Sequence, residues 1–179
     1  MFTASFAADA WAAREFAQNY NLELELVPAG EGIDPVKMLI AGQQDIAQIA
    51  SADTITAIAR GADLVIVGMK LARNPGVFLT RKELNISTPQ DWKNKRVGVL
   101  PGGGMDYTYR AMLVKNNLTE DDFIALTIPF DLQTFIADQY DIRPAYAYDE
   151  TVALDMSDIK YDILYPEDYG VDFAGTAIV

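Results

Sequence analysis

Three adjacent glycines, Gly102, Gly103 and Gly104, lie between the apolar run Arg96-Val97-Gly98-Val99-Leu100 and a helical pattern that opens at Met105-Asp106-Tyr107. A strand that passes through glycines into a helix start gathers bare backbone N–H groups at one point. Such a point attracts an anionic or hydrogen-bond-accepting group of a small ligand. The same glycines also suit a tight turn that needs them for its dihedrals alone, and the local spacing leaves both readings open. A dinucleotide site would need Gly-x-Gly-x-x-Gly with an acidic residue about 20 positions on, and a phosphate loop would need Lys-Ser/Thr after the last glycine. Neither follows here.

A second group of residues is Tyr146, Tyr148 and Glu150 in Pro144-Ala145-Tyr146-Ala147-Tyr148-Asp149-Glu150. Two tyrosines two residues apart on a strand share a face, which is either a cleft or the core. Stacking on such rings suits a flat heterocycle. Glu150 either accepts hydrogen bonds from a ligand amine or is a solvated charge in a first helical turn, where the macrodipole favours it. The run Glu120-Asp121-Asp122 lacks the alternation and central glycine of a calcium loop and reads as a helix-capping loop.

What is missing narrows the chemistry. The chain has no histidine and no cysteine. The commonest general base and transition-metal ligand are therefore absent, as are thiolate sites, and a Ser-His-Asp triad cannot be built. We expect no catalytic residues, no metal and no cofactor. Fourteen basic against 26 acidic residues leave a net charge of −12, which argues against nucleic acid as a partner. No apolar run is long enough to span a bilayer. The opening Met-Phe-Thr-Ala-Ser-Phe has no basic region followed by an apolar stretch, so no secretion signal is legible.

The elements that must position these groups alternate. Helical patterns cover Ala8–Tyr20, Asp34–Ala41 with Pro35 at the first turn, Ser51 or Asp53 to Arg60, Asp106–Asn116, Leu132–Ala137 and Glu150–Met156. A short capped helix is expected at Thr88–Asp91. Strand patterns cover Leu22–Val27 at period two, Asp45–Ala50, Leu64–Gly68, Val77–Thr80, Arg96–Leu100, Phe123–Ile128, Arg143–Tyr148 and Tyr161–Tyr165. Gly30–Gly32 reads as a loop. Alternation of this kind predicts mixed sheets flanked by helices. We expect two units, residues 1–82 and 83–165, joined near Thr80–Leu84, with 166–179 returning to the first. Ligands of such sheets sit beyond the carboxyl ends of the strands. That rule draws attention to Ser51-Ala52-Asp53, to Pro101–Tyr107 and to Tyr146–Glu150.

Read in order, several segments resemble the substrate-binding proteins of ABC importers. These are Leu39-Ile40-Ala41-Gly42-Gln43-Gln44-Asp45-Ile46-Ala47, Gly61-Ala62-Asp63-Leu64-Val65-Ile66-Val67-Gly68 and Asp91-Trp92-Lys93-Asn94-Lys95-Arg96-Val97-Gly98. The end, Tyr165-Pro166-Glu167-Asp168-Tyr169-Gly170, is similar to the branch that binds sulfonates, nitrate, taurine and thiamine pyrimidine precursors. The resemblance implies an α/β, two-lobed type 2 periplasmic-binding (Venus-flytrap) fold that closes on a small-molecule ligand and is read by an ABC permease. It also implies a monomer located in the periplasm, or outside the cell on a membrane anchor. It places ligand contacts at Ser51, Asp53, Gly102, Gly103, Gly104, Tyr107, Tyr146, Tyr148 and Glu150, with Asp9 and Trp11 in the first loop. Family members run past this length, so the first lobe is expected to be incomplete, with Phe2–Phe6 the remnant of a first strand. The rival readings on the same fold are a pyrimidine-synthesis enzyme of thiamine biosynthesis and a ligand-sensing regulatory domain.

Overall fold

The computed structural model describes residues 4–28, 33–129 and 131–179. Two sheets organise the chain. The larger contains β3 (Gly76–Arg81), β4 (Arg96–Val99), β5 (Ile124–Thr127), β6 (Ile142–Tyr146) and β7 (Tyr161–Leu164) in the order β5-β4-β6-β3-β7. β4 runs parallel to β5 and β6, whereas β3 is antiparallel to β6 and β7. The smaller sheet has β1 (Gln48–Ala50), β8 (Thr176–Ile178) and β2 (Gly68–Leu71), in that order and antiparallel throughout.

The larger sheet is covered on both faces, and β3 shows how. Its first five residues are buried. Phe78 enters one apolar cluster with Trp92, Tyr109, Met112 and Phe123, while Val77 and Leu79 enter another with Phe135 and Leu154. That is the period-two alternation of a strand between two layers. Trp92 is fully buried with its ring centroid 4.8 Å from that of Phe78. Burying a side chain of this size stabilises the fold by about 2–3 kcal/mol. The helices on these faces are α4 (Gly103–Lys115), α5 (Gln133–Ile136) and α6 (Glu150–Asp155). The smaller sheet has a thin core of Ala47, Ile49, Ala177 and Val179, flanked by α2 (Pro35–Ile40) and α3 (Ser51–Ala59). Farther out lies α1 (Ala4–Phe16), tied in by an ion pair from Asp9 to Lys70 of β2.

Local signals carry through. Asp34 caps α2 by accepting the Lys37 N–H at 3.1 Å, with Pro35 at the first position. Thr88 and Asp91 form a reciprocal capping box around a 3₁₀ turn, as do Thr119 and Asp122. The acidic triplet is thus a capping loop, and the described residues hold no cluster of potential metal ligands.

Three expectations are corrected. The segment Leu22–Val27 joins no ladder, and Leu22 and Leu24 remain about half exposed. Alternation supplies one apolar face but not the partner whose N–H and C=O groups a strand must share. The ladder expected at Leu64–Gly68 begins only at Gly68. Residues 4–6, read as a strand remnant, belong to α1; Met1–Thr3 and the expected loop at Gly30–Gly32 lie outside the described residues. In addition, β3 lies inside the larger sheet. The chain therefore changes sheets between Leu71 and Gly76, not at Thr80–Leu84, and returns between Leu164 and Thr176.

Candidate functional site

The parallel neighbours β4 and β6 end at the same edge of the larger sheet. From the first emerges the glycine loop, from the second the turn carrying Tyr148. On the smaller sheet β1 runs directly into α3. The two units meet here: a β-carbon built on Gly104 would stand 3.5 Å from the β-carbon of Ala50. The loops picked out by the strand-end rule thus come together across the units.

Gly102 and Gly103 have φ of +81° and +72°, a region closed to most side chains. A β-carbon at either would meet nothing within 4 Å, so dihedral need and not crowding accounts for both. They start α4, a 13-residue helix without a side-chain cap. Asp106 accepts the Gly102 N–H at 3.2 Å and the Arg110 Nε–H at 3.0 Å.

Ser51 opens α3, but its hydroxyl donates to the carbonyl of Ala174 and its N–H to Gly175 at 2.9 Å. It fastens the returning segment. Asp53, two residues on, is half-buried. Burial is the largest influence on its carboxyl and raises its pKa, the charge of Asp34 adds to this, and a hydrogen bond from the Tyr107 side chain opposes it. Tyr107 belongs to α4, so this bond crosses between the units.

Tyr146 and Tyr148 are stacked, with ring centroids 5.9 Å apart and planes 13° from parallel. Burial pushes the Tyr146 phenol up to about 12, helped by the charges of Tyr148, Glu150 and Asp53; it remains a neutral donor at neutral pH. Glu150 is turned inward. Its Oε2 accepts the Tyr146 N–H at 2.8 Å, and its Oε1 lies 4.0 Å from Nη2 of Arg143, whose side chain is fully buried. Burial raises the Glu150 carboxyl and lowers the Arg143 guanidinium.

On α1, Asp9 pairs with Lys70, which also reaches Gln48 at 3.2 Å. Trp11 is 58% exposed and edge-on to Phe16 at 5.4 Å. It belongs neither to the core nor to the tyrosine platform.

Sequence reasoning missed Arg143 and Asn74. Arg143 interrupts an otherwise apolar strand pattern, a signal that was legible. Asn74 precedes Pro75-Gly76. Its Nδ2 donates to Thr108 Oγ1 of α4 at 2.8 Å and its Oδ1 accepts the Gly76 N–H at 3.2 Å, so it joins the crossover to the helix behind the glycine loop. A pocket of about 140 Å³ opens beside the crossovers, lined by Arg73, Asn74, Gly76, Tyr165, Pro166 and Glu167 among others. Pockets for drug-sized ligands are typically roughly 300–1,000 Å³; the strand-end loops are the candidate site because they bring the two units together.

The chain is similar to several known proteins. The chain is 25% identical over 158 residues to a Haemophilus influenzae protein named "Putative thiamine biosynthesis protein", covering 87% of this chain and 50% of that protein. Its fold matches the alkanesulfonate-binding protein SsuA of Xanthomonas axonopodis pv. citri bound to MOPS (TM-score 0.69, 22% identity, 98% of this chain and 61% of that one). It also matches the periplasmic aliphatic sulphonate binding protein SsuA of Escherichia coli (TM-score 0.73, 19% identity, 97% and 56%). The fold is therefore the type 2 periplasmic-binding fold, and the chain spans half to three-fifths of the length of these relatives. Residues 11–179 match the family described as NMT1/THI5 like, and the chain belongs to that family.

Proposed function

We propose that this chain forms the ligand-holding part of a solute-binding protein of an ABC importer, taking a small flat heterocycle that bears an amine. One juxtaposition carries the reading. The stacked tyrosines follow β6 of the second unit, and the first turn of α3, with Asp53, meets that unit's glycine loop where Gly104 approaches Ala50. A flat ring lies against the tyrosine face. Asp53 accepts from the amine, a charge-assisted bond of the stronger kind. Glu150 is the carboxylate that the sequence favours for this role, but its oxygens are turned to Tyr146 and Arg143. Contacts from both units reward closure, so binding shifts the population toward the closed state. The protein's place is outside the cytoplasmic membrane, facing a permease.

The second reading is a sulfonate or similar anion. It draws on the first turns of α3 and α4, whose helix N-termini come together where Gly104 meets Ala50 and favour negative charge. Asp53 and Asp106 stand in those same turns and repel an anion. Enzymatic work on the pyrimidine is the least supported reading, since the chain has no histidine or cysteine.

The test is a thermal-shift and calorimetric comparison of an aminopyrimidine thiamine precursor with an alkanesulfonate. A ligand at 100 times its Kd stabilises the native state by about 2.7 kcal/mol. A shift with the aminopyrimidine alone supports the first reading, and a shift with the sulfonate alone supports the second.

A further inference from the structure

We infer that Arg143 and Glu150 are positioning residues that set the Tyr146–Tyr148 stack, and that Glu150 does this in place of touching ligand. This rests on the reading of the tyrosine pair as the ligand platform.

The turn after β6 folds back on Tyr146. Glu150 takes the Tyr146 N–H at 2.8 Å, and the Tyr146 carbonyl accepts the Asp149 N–H at 3.1 Å. The Thr151 hydroxyl then donates to the Ala147 carbonyl at 2.5 Å, and the Ala147 N–H donates to Pro75 at 3.0 Å. Both backbone polar groups of Tyr146 are thereby satisfied from within four residues. The path from Tyr146 to Tyr148 is closed into a tight turn, and the two rings lie parallel as a result. The bonds from Glu150 and Thr151 are the two in this set that depend on side chains at the start of α6, and only the one from Glu150 reaches Tyr146 itself.

Something must hold the Glu150 carboxylate inward. A charge leaves water only against a counter-charge, and Arg143 supplies it from three residues before Tyr146 on the same strand. Its guanidinium is fully buried, donates to the Pro129 carbonyl at 3.2 Å and faces Glu150 at 4.0 Å. The arginine, the glutamate and the tyrosine backbone form one linked unit. Contact with a ligand amine then falls to Asp53, on the opposite unit.

Near-ultraviolet circular dichroism of the whole chain tests this without any ligand. Tyr148→Leu defines the component owed to the stacked pair. Glu150→Ala is expected to lose that same component. Glu150→Gln is expected to keep it, because the amide oxygen still accepts the Tyr146 N–H. Should Glu150→Ala fail to fold, Arg143→Met combined with Glu150→Ala removes both charges and is expected to show the same loss. Retention of the component in Glu150→Ala or in the double variant overturns the inference.

Binding of an aminopyrimidine supplies a second readout. Glu150→Ala is expected to weaken it about tenfold, and Glu150→Gln to restore it. A Glu150→Gln protein that keeps the tyrosine component yet binds as poorly as Glu150→Ala shows direct contact with ligand and overturns the inference. If the unaltered chain binds no aminopyrimidine, the proposed function fails, while the dichroism comparison still decides this one.

Discussion

Gly175 lies so close to Arg73 that a β-carbon on it would stand 2.7 Å from the Arg73 carbonyl oxygen and 3.0 Å from Cβ of Leu71. The Gly175 N–H donates to Leu71 at 2.9 Å, and its carbonyl accepts the Ser51 N–H at 2.9 Å. One glycine thus joins the outgoing crossover, the returning crossover and the start of α3. Gly175→Ala must move backbone and not merely a flexible side chain. It should cost about 1–3 kcal/mol, read as a lower urea midpoint with an unchanged slope.

Asp53 should show a conflict between stability and binding. Its carboxyl pKa is raised, first by burial, so the folded state binds its proton more tightly than the unfolded chain does. The associated stability is present below the unfolded pKa of about 3.9 and is lost as pH rises through the higher folded value. Asp53→Asn removes this burden. At neutral pH it should raise Tm while weakening an amine-bearing ligand about tenfold or more. A lower Tm with unchanged affinity would sink the role given to Asp53.

The buried Arg143–Glu150 pair predicts strong coupling. Arg143→Met leaves Glu150 charged and buried, and should cost about 3–5 kcal/mol. Adding Glu150→Gln removes the orphaned charge, so the double variant should be more stable than Arg143→Met alone. Urea unfolding of the two variants beside the unaltered chain checks the order.

Asp141 gives the acid limb. It accepts the Arg96 N–H at 2.8 Å and the Arg96 Nη2 donor at 2.6 Å. Burial by itself would raise this carboxyl, but the side-chain and backbone bonds from Arg96 outweigh it and hold the pKa below the usual range. The resulting stability is present above the unfolded pKa of about 3.9 and is lost as pH falls through the lower folded value. Asp141→Asn should therefore cost about 1–3 kcal/mol at neutral pH, and the gap to the unaltered chain should narrow as pH falls through the lowered folded value. Chemical denaturation across the acid range measures it.

Sequence by itself determined the parts of this protein whose causes are local. The Asp34-Pro35 cap, the two capping boxes, the strands β3 to β7 and the helix that opens on Gly103 all follow from side-chain oxygens, fixed dihedrals and apolar period within a few residues. The candidate loops were likewise legible, because strand ends can be located before strands are paired.

Tertiary structure alone decided what depends on a partner distant in sequence. Leu22–Val27 has the pattern of a strand and no ladder, since alternation cannot say which chain segment lies alongside. β3 pairs with β6 and β7, more than 60 residues on in register, which moves the first crossover to residues 72–75. Ser51 is committed to Ala174, and Glu150 to Tyr146 and Arg143. A side chain with two possible partners goes to the one that relieves a buried polar group, and only the packed chain shows where that group is. For the same reason the start of α3, with Asp53, meets the glycine loop of the other unit only through the approach of Ala50 and Gly104.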